Sequence, residues 1–364
     1  MAGQQPLRRL GLDETVMSRM AEDGMHTVGD LFSRTELQLV QSLNLDRFKV
    51  ACLLRDVAAK VVPDTKTARD LLRQRREHGG SFSLATGLPI LDKSLQGGFP
   101  VGMITELVGP AGIGKSQTCL MMACQACLPT EAGGLGVDTG VVYLDTERKF
   151  SPDRLVEIAS SRSPEHYGDL SPVDGLSRLL DQVTVYTIDS SSALLERLES
   201  LQTRIIENNV RLIILDSIAA LARREFSREE TTTRQGLLTR QAAVLKSLAY
   251  NFSAVVLVTN QVTTTFGRTE GREGPHYGVA SIKNSGAGSE VSLFQEEVPA
   301  STGGSYIIPA LGNTWHHCVS NRLILEQHAT HREIRLTKSP LAPAVSCRFV
   351  VRNTGLEQVE EEKK

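Results

Sequence analysis

The sequence predicts an α/β protein with a mostly parallel central sheet, preceded by a small all-α domain. Between residues 81 and 260, short runs of leucine and β-branched residues alternate with helical segments. A glycine-rich turn joins one of these runs to a helix, whereas residues 1–60 show only helical periodicity. The apolar runs are short enough to be strands buried on both faces, as in a sheet covered by helices.

The chain divides into four predicted segments. They are a helical N-terminal domain at residues 1–60, a linker at 61–80, the α/β core at 81–355 and a polar, disordered tail at 356–364. In the first segment, the turn around Asn44 between two helices resembles a helix-hairpin-helix, a module that holds a phosphate through turn amides. Such turns usually carry glycine, which approaches a ligand more closely than asparagine. DNA binding and protein docking therefore both remain open for this domain.

The predicted strands of the core fall into two groups. The first are 103–108, 141–145, 183–187, 211–216 and 254–259, and candidate antiparallel strands follow at 305–311, 321–326, 332–337 and 346–351. The chain has 364 residues and a formal net charge of −2, so any contact with nucleic acid must come from local basic patches. Six cysteines without a short disulfide framework indicate a reducing compartment. Neither a secretory signal nor an apolar run of about 18 residues is present, so we expect an intracellular, soluble protein without membrane contact.

The strand at 103–108 leads directly into a G-x-x-x-x-G-K-S motif. The residues are Gly109, Pro110, Ala111, Gly112, Ile113, Gly114, Lys115 and Ser116, and Gln117 continues into the predicted helix. Glycines let consecutive amides turn toward a phosphate chain, and the helix adds its positive end. Lys115 is expected to reach the β and γ phosphates, and the hydroxyl of Ser116 to bind Mg²⁺. We therefore assign residues 109–117 to ATP binding.

Polar residues follow three other predicted strands. Asp216 ends an apolar run and is expected to act beside Ser116 at the Mg²⁺ ion. Glu147, in the sequence Asp145-Thr146-Glu147, could act as the general base for an attacking water, although these residues could instead only cap the next helix. The amide of Gln261 could bind the γ-phosphate and transmit its loss to the following segment.

Two basic segments follow strands on the same side of the predicted sheet. One carries Arg223, Arg224, Arg228 and Arg234, and the other, within residues 262–305, carries Arg268, Arg272 and Lys283. Together they could bind a DNA backbone, or they could be ordinary solvated surface. Two further patterns are not expected to bind metal. Cys119, Cys124 and Cys127 spread around one helix, and His316, His317, Cys318, His328 and His331 fall in a predicted strand region without a tight ligand pair.

Together with residues 91–98 and 312–315, these motifs resemble the eukaryotic RecA-type recombinases, the Rad-fifty-one family. The resemblance covers Ser81 to about Val351, and segments 150–159 and 310–315 are most similar to the B-type paralogues of that family. It implies a RecA-like P-loop ATPase core and a DNA-dependent ATPase that uses ATP and Mg²⁺. It also implies homologous recombination repair in the nucleus, in a hetero-oligomer with other recombinase paralogues and with the recombinase filament on single-stranded or branched DNA. Lys338, Ser339 and Pro340 match the segment that caps a neighbour's nucleotide.

Three features depart from the recombinase itself. Residues 65–68 read Thr-Lys-Thr-Ala where the recombinase carries Phe-x-x-Ala, so the aromatic anchor for self-polymerisation is missing. The second basic segment is longer and sparser in cations, and Lys338 places a positive charge in the cap. These features favour a hetero-oligomer. An ATP-bound scaffold with little hydrolysis and a ring-forming helicase or clock-type ATPase remain as alternatives.

Overall fold

The computed structural model describes residues 5–62, 67–77, 82–168, 174–226, 230–265, 306–309 and 311–359. The chain forms two compact units, Met1–Gly79 and Gly80–Lys364. Within the described residues, no helix is long and apolar enough to cross a membrane.

The first unit is entirely helical. After a short 3-10 helix at Leu7–Arg9 come α1 (Glu14–Glu22), α2 (Val28–Phe32), α3 (Glu36–Leu43), α4 (Arg47–Val61) and α5 (Ala68–Glu77). The first four helices begin at side chains that accept main-chain hydrogen bonds, namely Asp13, Thr27, Thr35 and Asp46. Buried aliphatic side chains from all these segments except α5 form the core of the unit.

The turn between α3 and α4 has the expected hairpin geometry. Asn44 adopts a left-handed conformation with φ 50° and ψ 47°, which asparagine tolerates better than most residues. At the start of α5, the Thr67 hydroxyl donates to the Asp70 carboxylate over 2.6 Å and accepts from its amide over 3.1 Å. Thr67, within the segment that replaces Phe-x-x-Ala, therefore caps a helix.

The second unit contains thirteen strands and nine helices among its described residues. The strands are β1 (Ser83–Leu84), β2 (Phe99–Pro100), β3 (Ile104–Val108), β4 (Gly140–Asp145), β5 (Val183–Thr187), β6 (Val210–Asp216), β7 (Val255–Asn260), β8 (Val262–Thr265), β9 (Tyr306–Pro309), β10 (Asn321–Gln327), β11 (Arg332–Lys338), β12 (Val345–Arg352) and β13 (Gly355–Gln358). The helices are α6 (Pro89–Ser94), α7 (Lys115–Ala126), α8 (Pro152–Arg162), α9 (Pro164–Tyr167), α10 (Gly175–Gln182), α11 (Ser191–Glu207), α12 (Ile218–Glu225), α13 (Thr231–Asn251) and α14 (Gly312–Cys318).

Nine strands form one sheet in the order β13-β12-β11-β10-β3-β7-β6-β4-β5. Strands β10, β3, β7, β6, β4 and β5 are parallel, and β11 to β13 extend the sheet antiparallel. The carboxyl ends of β3, β4, β6 and β7 therefore lie at one edge, which we call the P-loop edge. The starts of β3 and β10 lie at the opposite edge. The mostly parallel sheet expected from the sequence is confirmed.

Helices cover both faces of this sheet. On one face, α7 and α8 pack with side chains that include Cys119, Cys124 and Cys127, all buried. The thiol of Cys124 contacts the Leu155 carbonyl at 3.6 Å, so this cysteine is a small core residue. On the other face, α11 to α14 contribute the second core, which includes the buried Trp315.

Two expectations are wrong. Residues 356–358 do not belong to a disordered tail but to β13, where Leu356 is fully buried. Gly355, with φ 93°, makes the turn that returns the chain along β12. Although the segment is polar, hydrogen bonds between its backbone and that of β12 hold it in the sheet. His316, His317 and Cys318 lie in α14 and not in a strand region.

Candidate nucleotide-binding site

The turn between β3 and α7 has the backbone of a phosphate-binding loop. Gly112 and Gly114 have φ of 76° and 124°, conformations that strain any side chain. A Cβ on Gly109 would lie 2.8 Å from the Leu325 carbonyl oxygen, so close packing also requires glycine there. A Cβ on Gly112 would meet nothing within 4 Å, which leaves open space beside the loop.

Lys115, the first residue of α7, is held against the loop itself. Its ammonium donates to the carbonyls of Gly109 and Pro110 over 2.7 and 2.8 Å. Burial lowers the pKa of Lys115, whereas the negative charges of Asp216 and Glu147 oppose that shift. The ammonium therefore lies within electrostatic reach of both carboxylates.

The remaining loop residues have different surroundings. Ser116 is partly buried in the first turn of α7, beside Lys115. The side chain of Ile113 is buried in the core, so only its backbone is available to a ligand. The amide oxygen of Gln117 accepts a 2.7 Å hydrogen bond from Arg154 of α8, which ties it to the protein.

Asp216 and Asp145 end the neighbouring strands β6 and β4 and are register partners. Asp216 is 5% exposed; it accepts from the Tyr143 hydroxyl over 2.8 Å and from the Thr259 hydroxyl. Asp145 accepts from the amides of Glu147 and Phe150 over 3.0 and 2.8 Å, and so shapes the turn that carries Glu147. The motifs do not reveal Tyr143 or Thr259, because their roles depend on strand register.

Glu147 accepts hydrogen bonds from three side chains. One carboxylate oxygen accepts from Ser217 over 2.7 Å and from Gln261 over 3.1 Å, and the other forms an ion pair with Lys149. Burial raises the pKa of Glu147, but the hydrogen bonds from Lys149, Ser217 and Gln261, with the Lys149 charge, outweigh it and the pKa falls below its ordinary value. Lys149 was not identified from the sequence, although it lies only two residues from Glu147.

Gln261 connects this carboxylate to the first basic segment. Its amide oxygen accepts a hydrogen bond from Arg223, and a second nitrogen of Arg223 donates to the Val262 carbonyl over 2.9 Å. The guanidinium of Arg223 thus orients the amide that faces Glu147. Arg224 donates to the Asp189 carbonyl.

The other candidate DNA-binding residues are placed only in part. Nε of Arg234 is buried and has no hydrogen-bond partner among the described residues. Arg228, Arg268, Arg272 and Lys283 lie outside the described residues.

The candidate cap lies at the edge opposite the P-loop edge. Lys338 pairs with Arg322 near the start of β10, where Asn321 pairs with Thr105 of β3. The ammonium of Lys338 donates to the carbonyls of His316 and Val319 over 2.6 and 2.9 Å. The structure thus separates Lys338 from the chain's own P-loop by the length of β3.

Ser339, the next cap residue, is also fixed. Its hydroxyl donates to the Asn321 side chain over 2.8 Å and accepts from the Leu341 amide over 3.1 Å. These bonds shape the backbone around Pro340.

A buried polar network at the centre of the sheet connects β3 to β7, β10 and α14, and the sequence motifs do not reveal it. Glu106 of β3 is fully buried and accepts from Arg322 over 2.5 Å, Trp315 over 2.8 Å and Asn260 over 2.7 Å. Arg322 also contacts the His316 ring, whose pKa falls to about 4 because of burial and then the Arg322 and Lys338 charges. The Asn260 side chain also accepts a 2.8 Å hydrogen bond from the main-chain amide of Gln261, so this network helps to position Gln261.

The donor set fits ATP with Mg²⁺. Amides at an α-helix N-terminus and an ammonium suit a triphosphate, and a hydroxyl next to carboxylates suits a hard divalent cation. The open space beside Gly112 leaves room for a ligand on that side of the loop. Residues of four strand ends therefore meet where the sequence places a nucleotide.

Comparison with known proteins agrees with this geometry. The sequence profile of the Rad51 family matches residues 77–275, and that of the XRCC3/RpoA-like helix-hairpin-helix domain matches residues 7–61. The chain is 36% identical to DNA repair protein RAD51 homolog 2 of Homo sapiens over 97% of this chain and 89% of the relative. With RAD51 homolog 2 of Arabidopsis thaliana it shares 32% identity over 95% and 89% of the two chains.

A more distant relative is the DNA repair and recombination protein RadA of Cenarchaeum symbiosum, which is 27% identical over 97% of this chain and 79% of its own length. The expected similarity to the B-type paralogues is confirmed by the RAD51 homolog 2 proteins. The N-terminal helix-hairpin-helix domain and the RecA-like core therefore identify this chain as a member of the Rad51 family.

Proposed function

We propose that this protein is a DNA-dependent ATPase of the recombinase-paralogue type. It assists homologous recombination repair of DNA double-strand breaks in the nucleus, as part of a hetero-oligomeric paralogue complex on single-stranded DNA. One observation carries the proposal: Lys115, Asp216 and Glu147 converge beside a glycine loop at the P-loop edge. The names of the relatives, which are DNA repair and recombination proteins, support the process.

In the proposed reaction, the loop amides and Lys115 bind the phosphates of ATP. Ser116 and Asp216 would hold Mg²⁺, which screens negative charge on the phosphates. Glu147 accepts a proton from the attacking water, a step that needs its ionised form, and the lowered pKa of Glu147 keeps that form populated at neutral pH. Gln261 binds the γ-phosphate side of the site and is oriented by Arg223.

Lys149 restrains the base until the substrate arrives. Its ammonium occupies one oxygen of Glu147 while Ser217 and Gln261 occupy the other, which leaves little acceptor capacity for a water proton. A γ-phosphate offers Lys149 a competing anion. We propose that this exchange releases Glu147, so that hydrolysis by the isolated chain is weak.

The second half of the site comes from a neighbouring subunit. Lys338, Ser339 and Pro340 cannot serve the P-loop of their own chain, because they lie at the opposite edge of the sheet. The family resemblance assigns them to a partner's nucleotide, and their position at the opposite edge supports that assignment. Thr65 in place of the aromatic anchor favours a partner of a different kind over self-polymerisation.

The proposal is tested by copurification of the full chain with and without Mg-ATP, followed by single-turnover hydrolysis with the recovered partners and single-stranded DNA. We expect ATP-dependent recovery of other recombinase paralogues and DNA-stimulated hydrolysis. A complex that binds ATP without hydrolysing it would support the scaffold alternative. A closed ring of the chain alone, seen by mass photometry, would support a ring helicase or clock-type ATPase.

DNA binding has its own test. Removing the charges of Arg223, Arg224 and Arg228 should flatten the dependence of DNA affinity on salt, by about one unit of logarithmic slope per lost phosphate contact. An unchanged slope would assign these arginines to the protein's own structure. Arg223→Gln should also alter ATP turnover, because Arg223 contacts Gln261.

A further inference from the structure

The hairpin between β10 and β11 places two carboxylates and two imidazoles on one face, beside Arg335. Its two-residue turn is closed by a 2.8 Å hydrogen bond from the His328 amide to the His331 carbonyl, and Glu326 pairs with Glu333. Because side chains alternate along a strand, Glu326 and His328 share a face with His331 and Glu333. Two carboxylates and two imidazoles therefore face each other across the strands.

Three of these side chains are close enough to share one ion. One ligand atom from each of His328, His331 and Glu333 lies within 4.8 Å of the others. Nε2 of His328 is 3.2 Å from the Glu333 carboxylate, and the His328 and His331 rings stack with centroids 4.7 Å apart. The His328 and Glu333 side chains are 42% and 24% exposed, so an ion can enter from solvent.

This donor set has the chemistry of a zinc site. Two imidazole nitrogens and one carboxylate oxygen with an open fourth position match the catalytic class of Zn²⁺ sites. In a tetrahedral site with bonds of about 2.0–2.1 Å, ligand atoms lie about 3.3 Å apart. The distance between His328 and Glu333 already has that value. The ligand atom of His331 lies within 4.8 Å of the other two, and its partly exposed side chain must move closer to complete the site. Mg²⁺ and Ca²⁺ prefer all-oxygen sites.

Surrounding groups hold the hairpin in place. Nε2 of the Gln327 side chain donates to the His328 carbonyl over 2.8 Å, and its Oε1 accepts from Arg332 over 2.9 Å. The Thr330 hydroxyl lies 3.1 Å from Nδ1 of His331; when Nδ1–H donates to it, Nε2 is the nitrogen left free for a metal. The ligands are thus supported by the fold rather than carried on a free loop.

We propose that His328, His331 and Glu333 bind a divalent transition-metal ion of the Zn²⁺ class, separate from the Mg²⁺ of the nucleotide. The ion links the two sides of the hairpin through His328, His331 and Glu333, while Glu326, the strand partner of Glu333, is held by Arg335 over 3.0 Å. β10 runs beside β3 up to the Ile324–Val108 pair, and Leu325 abuts Gly109 of the P-loop. A metal at this hairpin therefore braces the strand against which the phosphate-binding loop packs.

The test is calorimetric titration of the chelator-treated full chain with ZnCl₂ in the absence of nucleotide, with Co²⁺ absorption as a second probe of tetrahedral coordination. We expect one site that is weakened at least tenfold in His328→Ala and in Glu333→Gln. His166→Ala is the matched control, because His166 forms a similar pair with Glu165 at 3.0 Å and belongs to no group of three metal-ligating side chains among the described residues. This variant should bind Zn²⁺ as the wild type does.

Thermal unfolding without metal shows whether each variant is folded. Zn²⁺ should raise the Tm of the wild type and of His166→Ala, but not that of the hairpin variants. Absence of binding by the wild type, or undiminished binding by both hairpin variants, overturns the proposal and leaves only an ion pair between His328 and Glu333. Neither result bears on ATP binding, which rests on residues outside this hairpin.

Discussion

Lys115 and Lys338 lie at opposite edges of the same sheet and are held in the same way. Each ammonium donates to two main-chain carbonyls, and burial lowers the pKa of each. Their charged neighbours differ. The carboxylates of Asp216 and Glu147 raise the pKa of Lys115 and Lys149 lowers it, whereas the cations Arg322 and Lys246 lower the pKa of Lys338 and Glu106 and Cys318 raise it.

The two edges of the sheet therefore carry different sets of charges. The P-loop edge has carboxylates that can hold a metal and activate water, together with a cation for phosphate. The opposite edge has an excess of positive charge around Lys338, which favours an anion supplied from outside the chain. We propose that the two edges are complementary halves of an ATP site shared between subunits, because the chain places them too far apart to combine them within itself.

The largest effect is expected when Lys115 is changed. Lys115→Ala removes the cation that faces two phosphates, and the loss of charged hydrogen bonds should cost about 3 kcal/mol, or more than a hundredfold in ATP affinity. Binding of a fluorescent ATP analogue measures this effect. Undiminished binding would show that the P-loop edge is not the nucleotide site. Exposed Lys93 provides the control variant, Lys93→Met.

Glu147→Gln should separate binding from chemistry. The amide keeps the size of the side chain and an acceptor for Ser217 and Gln261, so ATP should still bind. Turnover should fall about a hundredfold or more because the base is lost. Single-turnover hydrolysis in the assembled complex is the measurement, and equal rates in the two proteins would reject the assignment of the base.

Lys338→Met examines the opposite edge. The chain's own ATP affinity should be unchanged, whereas turnover in a complex with a partner should fall about tenfold, because a cation near the partner's phosphates is removed. Since Lys338 also binds two carbonyls at the end of α14, ATP binding by the variant alone serves as the folding control. Loss of ATP binding by the variant alone would show that Lys338 serves the chain's own nucleotide site. Full ATPase activity of the variant in the complex would show that Lys338 does not serve the partner's site.

Lys149→Met should have the smallest effect and the opposite sign. Removing the ion pair frees one oxygen of Glu147, so turnover by the isolated chain at neutral pH should rise a few-fold. The pH profile should change as well. In the wild type, activity falls only as the pH drops through the lowered pKa of Glu147. Without Lys149, the pKa of Glu147 loses one lowering hydrogen bond and the lowering charge while burial still raises it, so the acid limb should move to higher pH.

Lys149→Arg keeps the cation and should preserve both the rate and the pH profile. Slower turnover with an unmoved acid limb in Lys149→Met would show that Lys149 assists the reaction instead of restraining Glu147.

Local sequence signals predicted most of the sheet. Residues 103–108 and 211–216 carry enough contiguous apolar residues to specify buried strands, and the observed strands Ile104–Val108 and Val210–Asp216 agree within one residue at each end. β13 was missed because its stability comes from pairing with β12 and from burial of Leu356, neither of which appears in its polar composition. The sequence did not predict the cluster of His328, His331 and Glu333, because only the register between β10 and β11 brings Glu333 close to His328.

The sequence by itself determined the glycine loop, the strands that end in acids and the absence of an aromatic anchor, because these depend on residue type and on spacing along the chain. Tertiary structure alone decided that Lys149 and Arg223 contact Glu147 and Gln261, that Glu106 forms a buried ion pair with Arg322, and that Lys338 lies away from its own P-loop. Contacts between distant segments depend on register and on the direction of each strand. Those are set when the whole sheet assembles, and no local window of sequence contains them.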